Sequence, residues 1–165
     1  ADFTPRTKEV LSEESAFVVL ELLKGVTTAG SGVRLRTSEH YYKDIITGFP
    51  YKFTNPIAGK TGTTQNHTDG WFMGVVPNLA TGVWTGGDDR AVHFENIAEG
   101  QGATMSLPTW ALFMKKVYAD STLSISQEDF EKPLYVGIDT NCGKEPLGKE
   151  DDPKIPKKVD DDTDF

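Results

Sequence analysis

Cysteine is nearly absent. Cys142 stands alone, so no internal disulfide can form, and no second cysteine or histidine sits at zinc-finger spacing from it. That leaves the redox compartment open. No run of about 18 apolar residues is present to span a bilayer, and residues 1–11 have neither the basic start nor the apolar centre of a signal peptide. The chain as given is therefore expected to be soluble. Positive charge is also scarce: 17 Lys and Arg against 25 Asp and Glu leave a formal charge of -8. This argues against nucleic acid, whose phosphates demand a basic surface, and disfavours acidic partners. Apolar residues are 37% of the 165, enough for one core of ordinary domain size. There is no internal repeat and no initiator methionine; a chain opening ADFTPRTKEVLS invites reading as a piece of something longer.

What is present reads as two helices and a short meander of strands. The Ser12 hydroxyl can accept a free first-turn N–H, and Glu13 and Glu14 suit a helix start. Ala16, Val19, Leu20, Leu23 and Val26 recur at spacings of three and four, giving a helix over about 13–24 that Gly25 is expected to stop. Residues 27–56, with a TAGSG turn and an FPYKFTNP stretch, read as looping or extended chain. Pro56 pushes Asn55 out of helical geometry, so strand should follow. IAGKTGTT, DGWFMGVV and TGVWTGG then read as three strands of an antiparallel meander, connected at QNHTD and PNLA. In the middle strand Trp71, Met73 and Val75 alternate with Phe72 and Val76, apolar on both sides, which predicts cover on both faces.

A second helix is expected from Ser106 to about Tyr118, with Pro108 in its first turn and a stripe of Trp110, Phe113, Met114 and Val117 against one face of the sheet. Lys115 and Lys116 suit its C-terminal end. The fold class is α+β. Beyond residue 120 the chain turns polar; 134–145 could hold a short strand. The acidic, proline-bearing tail at 148–165 is expected to be disordered and solvated rather than a metal site.

The stretch GKTGTT, residues 59–64, can end a phosphate-cradling loop or form the edge strand of a site that grips a peptide carboxylate. A P-loop ending at Gly59-Lys60-Thr61 needs its first glycine at position 54, which is Thr54, and needs a helix to follow. Both requirements fail. The alternative is the K-T-G element of penicillin-recognising serine acyltransferases.

Several blocks in order carry that alternative: a helix ending LLKGV, the TAGSG turn, AGKTGTT, D-x-WF-x-G, GVWTGGDD, and a closing Gly-x-x-Ala…Pro-x-Trp…Phe-Met helix. From about Arg6 to Asp120 the sequence resembles the C-terminal part of the transpeptidase domain of class A, bifunctional penicillin-binding proteins. The resemblance implies an antiparallel sheet packed by helices and a D,D-transpeptidase that takes peptidoglycan stem peptides as donor. β-Lactam inhibitors would imitate that donor. Lys60 would assist proton movement, the Thr61 and Thr63 hydroxyls would hold the substrate carboxylate, Gly62 would leave room for the peptide, and the Thr63 N–H would face the oxyanion. It implies no cofactor, and a membrane-anchored parent on the extracytoplasmic side of the bacterial inner membrane.

The family's S-x-x-K and S-x-N elements do not occur in this sequence. The nucleophile is expected from an upstream part of the same protein, and the isolated chain is expected to be inert, with an exposed sheet edge at GVWTGG. Residues 1–120 would then be the transpeptidase portion and 121–147 a C-terminal extension. A fragment of a serine β-lactamase or D,D-carboxypeptidase carries the same K-T-G, and a non-enzymatic peptide-binding module could use the same edge strand.

Other residues read more plainly. His67 is expected in solvent, and Asp69 in a turn or hydrogen-bonding role. Trp71, Trp84 and Trp110 are expected in the core. Ser31, Ser38 and Ser106 lack a patterned base, Asp88 and Asp89 beside Arg90 read as a solvated turn, and Cys142 has no cationic neighbour in sequence.

Overall fold

The computed structural model describes residues 8–38 and 46–138. Helix α1 spans Glu13–Thr28, and Ser12 caps it, its side chain accepting from the Ser15 N–H at 3.2 Å. The helix runs through Gly25 rather than stopping there, correcting the expectation by one turn. In a helix a lone glycine costs only about 1 kcal/mol against alanine, and the TAGSG turn supplies the stop. There the Gly30 and Gly32 N–H groups both return to the Val26 carbonyl, at 3.1 and 3.0 Å.

Strands β1 (Ala58–Thr63), β2 (Asp69–Val76) and β3 (Leu79–Gly86) form one antiparallel sheet in the order β1-β2-β3. The order and antiparallel pairing are as the sequence predicts, but β3 begins at Leu79 rather than Thr81, because Leu79 and Ala80 pair with Val76 and Val75 and leave only Pro77 and Asn78 as the turn. Two short turns of helix, α2 (Ile97–Gly100) and α3 (Gly102–Met105), lead into α4 (Leu107–Ala119), which carries Pro108 in its first turn.

The core lies on one face of the sheet. Phe72 and Trp110 are fully buried with ring centroids 5.1 Å apart, joined by Leu35, Ile57, Leu107, Met114 and Val76. Trp110 meets its polar obligation by donating from Nε1 to Thr81 Oγ1 at 2.6 Å. Its ring fits because β2 carries Gly74 beneath it: a Cβ there would lie 2.3 Å from Trp110 Cζ2. Within the α4 stripe, Trp110, Met114 and Val117 are buried and Phe113 is exposed.

The opposite face corrects the expectation of cover on both sides. Trp71, Met73 and Trp84 are 45%, 47% and 47% exposed, and only Trp110 of the three tryptophans belongs to the core. Both long helices pack on the Phe72 side: a Cβ on Gly59 would touch Phe72 and, from α1, Thr27. Among the described residues no fourth strand pairs with β1 or β3, so both sheet edges are open. Residues 131–138 contain no strand, while the rest of the suggested 134–145 segment, Cys142 and the acidic tail lie outside the described residues.

Candidate functional site

Which way β1 presents its backbone is decided at Thr64. Its N–H donates to the Asp69 carbonyl at 3.1 Å, and in an antiparallel ladder hydrogen-bonded pairs alternate with non-bonded ones. Thr63 opposite Gly70, and Thr61 opposite Phe72, are therefore non-bonded positions whose N–H and C=O groups point away from β2, across the open edge. Lys60 occupies that edge too. Its exposed ammonium donates to the Thr61 carbonyl at 2.7 Å.

Side chains divide by the strand's period of two. Lys60 and Gly62 share the face of Met73 and Trp71, while Thr61 and Thr63 share the face of Phe72 and Gly70. All four residues singled out from the sequence thus lie on one short strand, with the cation and the two hydroxyls reaching its edge from opposite faces. A side chain at Gly62 would crowd Trp71, whose Cβ lies 3.1 Å from the Cβ position.

Each threonine hydroxyl has an anchor. Ser31 Oγ, from the TAGSG turn, lies 2.7 Å from Thr61 Oγ1. The Gly102 N–H at the start of α3 donates to Thr63 Oγ1 at 3.1 Å. The turn itself is tied down from below: Thr27 Oγ1 donates to the Ile57 carbonyl at 2.6 Å, and Arg36 donates to the carbonyls of Thr27 and Asn55 at 3.1 and 3.0 Å. Arg34, buried, donates to Thr104 Oγ1 at 2.7 Å and so joins the turn region to α3. Sequence reading missed Ser31, Thr27, Arg34, Arg36 and Gly102 as parts of this site. The signals present were the TAGSG turn that carries Ser31 and the VRLR that follows it, two arginines flanking a core leucine.

Asp69 clasps the end of the site, in the hydrogen-bonding role expected for it. Its carboxylate accepts from Thr68 Oγ1 at 2.8 Å, Thr64 Oγ1 at 3.1 Å and Trp84 Nε1 at 3.1 Å. The Thr68 hydrogen bond chiefly holds this carboxyl below its ordinary value, burial opposes, and Thr64, Trp84 and the Arg90 charge add to the lowering. His67 is half-buried rather than solvated, with Nδ1 buried and unpartnered. Asp89 accepts the Ala91 N–H at 2.9 Å in an exposed turn, as the sequence suggests. A pocket of about 320 Å³ opens beside Gly86, Val92, Phe94 and Met105, not along β1.

Among protein-family models, none matches the chain. Curated relatives do. It is 31% identical over 129 residues to penicillin-binding protein 1A of Aquifex aeolicus, covering 78% of this chain and 15% of that protein. It is 29% identical over 128 residues to penicillin-binding protein 1A of Pseudomonas aeruginosa, covering 76% of this chain and 13% of that protein. A shorter match, 29% over 86 residues, joins it to penicillin-binding protein 1B of Buchnera aphidicola, with 52% of this chain and 10% of that protein covered. The chain therefore spans a small share of the relatives it matches. Over more than three-quarters of its residues the chain is similar to proteins of this name, as a fragment of a class A penicillin-binding protein is.

Proposed function

We propose that this chain supplies the K-T-G strand of a peptidoglycan D,D-transpeptidase, a serine acyltransferase that uses the D-Ala-D-Ala end of a stem peptide as donor. The observation that carries the reading is the open edge of β1, where outward backbone groups, two anchored hydroxyls and one lysine gather within a six-residue strand. A donor peptide lying antiparallel there adds a strand through backbone hydrogen bonds. Its terminal carboxylate meets the Thr61 and Thr63 hydroxyls and the Lys60 charge, and charge-assisted bonds of that kind are the strong ones.

Serine attack on the penultimate carbonyl places negative charge on the carbonyl oxygen. The Thr63 N–H is one donor to it, and the nucleophile's own N–H is the other. The peptide C–N bond then breaks, and the terminal D-Ala leaves as an amine that has taken up a proton, with Lys60 assisting the transfer. An acceptor amine next attacks the serine ester, loses a proton and restores the hydroxyl. A β-lactam presents the same carboxylate and amide and acylates the same serine. That serine and its S-x-x-K lysine are absent from this sequence, so they belong to another part of the polypeptide and this segment alone is inert. The whole protein is read as anchored in the membrane with this segment on the outer side.

Fluorescent penicillin tests the proposal. The full-length protein carrying this segment should be labelled covalently, Lys60→Ala should slow acylation by about 100-fold or more, and the segment alone should stay unlabelled. An unlabelled full-length protein that still binds stem peptides would replace the reading with a non-enzymatic module. Rapid loss of label would replace it with a β-lactamase.

A further inference from the structure

Ser31 lies 30 residues from Thr61 in sequence, yet the structure sets their hydroxyl oxygens 2.7 Å apart at the open edge of β1. We propose that Ser31 is a positioning residue that turns the Thr61 hydroxyl toward a bound carboxylate; this rests on the reading of β1 as the carboxylate-binding strand. A threonine hydroxyl has one proton and two lone pairs. Left to itself, the Thr61 O–H can rotate and spend its proton on a neighbour. Either hydroxyl can donate within this pair; once a carboxylate accepts the Thr61 proton, the Ser31 O–H is the one left to donate between them, into a Thr61 lone pair. Thr63 is handled in the same way, because the Gly102 N–H can only donate and so fixes Thr63 Oγ1 as acceptor on that side.

The support beneath Ser31 is what a positioning role requires. Gly30 permits the tight return of the turn: a Cβ there would lie 3.0 Å from the Val26 Cα and carbonyl oxygen. Gly32 is held from the same carbonyl, and Val33 N–H returns to the Gly30 carbonyl at 3.0 Å. Below it, buried Thr27 and the Arg36 fork bind the turn to the chain entering β1, so turn and strand keep one spacing. The Ser31 side chain itself is exposed and packs in no core. Its removal therefore changes the orientation of Thr61 with little else.

The test uses the full-length protein and two thioester donors, identical except that one ends in a carboxylate and the other in a carboxamide. Ser31→Ala should lower acylation kcat/KM about tenfold for the carboxylate donor and leave the carboxamide donor within about twofold, the scale of one neutral hydrogen bond. Ser31→Thr, which keeps the hydroxyl, should restore the carboxylate donor. Equal losses for both donors, no loss for either, or failure of the threonine to rescue would overturn the proposal. Thr61→Ala run alongside separates the two ideas: if it too fails to discriminate between the donors, the carboxylate reading of β1 falls, whereas discrimination by Thr61→Ala without Ser31→Ala removes Ser31 alone.

Discussion

Replacing Gly102 with alanine should loosen both the sheet and the site. Gly102 begins α3 with its Cα seated over the Gly62 and Trp71 pair, and a Cβ would lie 2.3 Å from the Gly62 carbonyl oxygen and 2.4 Å from that of Trp71. Both obstacles are backbone of paired strands, so no rotamer change relieves them. Carbon meets carbonyl oxygen comfortably at about 3.3–3.6 Å, so α3 must withdraw by about 1 Å. Overpacking of this kind costs about 1–3 kcal/mol. Withdrawal also stretches the 3.1 Å bond from the Gly102 N–H to Thr63 Oγ1 beyond useful range, removing about 1 kcal/mol more. With a urea slope of about 2 kcal/mol/M for a domain of this size, the unfolding midpoint should drop by about 1–2 M. A midpoint within about 0.2 M of the parent's would refute the seating of α3 on those carbonyls.

The same substitution at Gly25 should act in the opposite direction, because a Cβ there meets nothing and the residue lies inside α1; the urea midpoint should rise, reflecting about 0.5–1 kcal/mol. Asp69 should contribute to acid sensitivity. Its folded value is depressed, by the Thr68 hydrogen bond above all, so its stabilisation is present above the unfolded value of about 3.9 and is lost as pH falls through the folded one. Asp69→Asn should flatten the fall of the unfolding midpoint below about pH 4, and an unchanged acid slope would exclude the clasp as its source. Removing Asp129, which accepts from Lys24 Nζ at 2.8 Å at the surface, should cost less than about 1 kcal/mol and should cost less still in 1 M salt.

How much of this was legible in the sequence depends on how far apart the cooperating residues stand. The meander was readable because β-periodicity and turn residues act over a few positions, and β2 runs over Asp69–Val76, the quoted DGWFMGVV stretch. Helix α4 was readable from Trp110, Met114 and Val117. The end of α1 was misread because Gly25 is a weak breaker when nothing crowds the helix, whereas Gly30 and Gly32 close on the Val26 carbonyl. Trp71, Met73 and Trp84 were misread for a different reason. Alternation identifies apolar residues on both faces of β2, but cover must be supplied by other elements, and α1 and α4 both choose the Phe72 face. Trp84 is useful where it stands, since its indole N–H completes the Asp69 clasp from the uncovered side.

The same distinction separates the motif from the site. Lys60, Thr61, Gly62 and Thr63 were nameable together because one strand carries them, and the period of two sends the cation to one face and the hydroxyls to the other. What gives those hydroxyls a direction comes from elsewhere: Ser31 reaches Thr61 across 30 residues and the Gly102 N–H reaches Thr63 across 39. Both anchors ride on glycine-bearing backbone that can approach a strand closely, one in the turn after α1 and the other at the first residue of α3. Neither serine nor glycine signals this role in a sequence, since each is common and neither is spaced from the motif by any helical or strand period. The K-T-G strand is thus a local feature, but the orientation of its hydroxyls is a property of the fold, held in place by Thr27 and Arg36 under the turn and by Arg34 between the turn and α3.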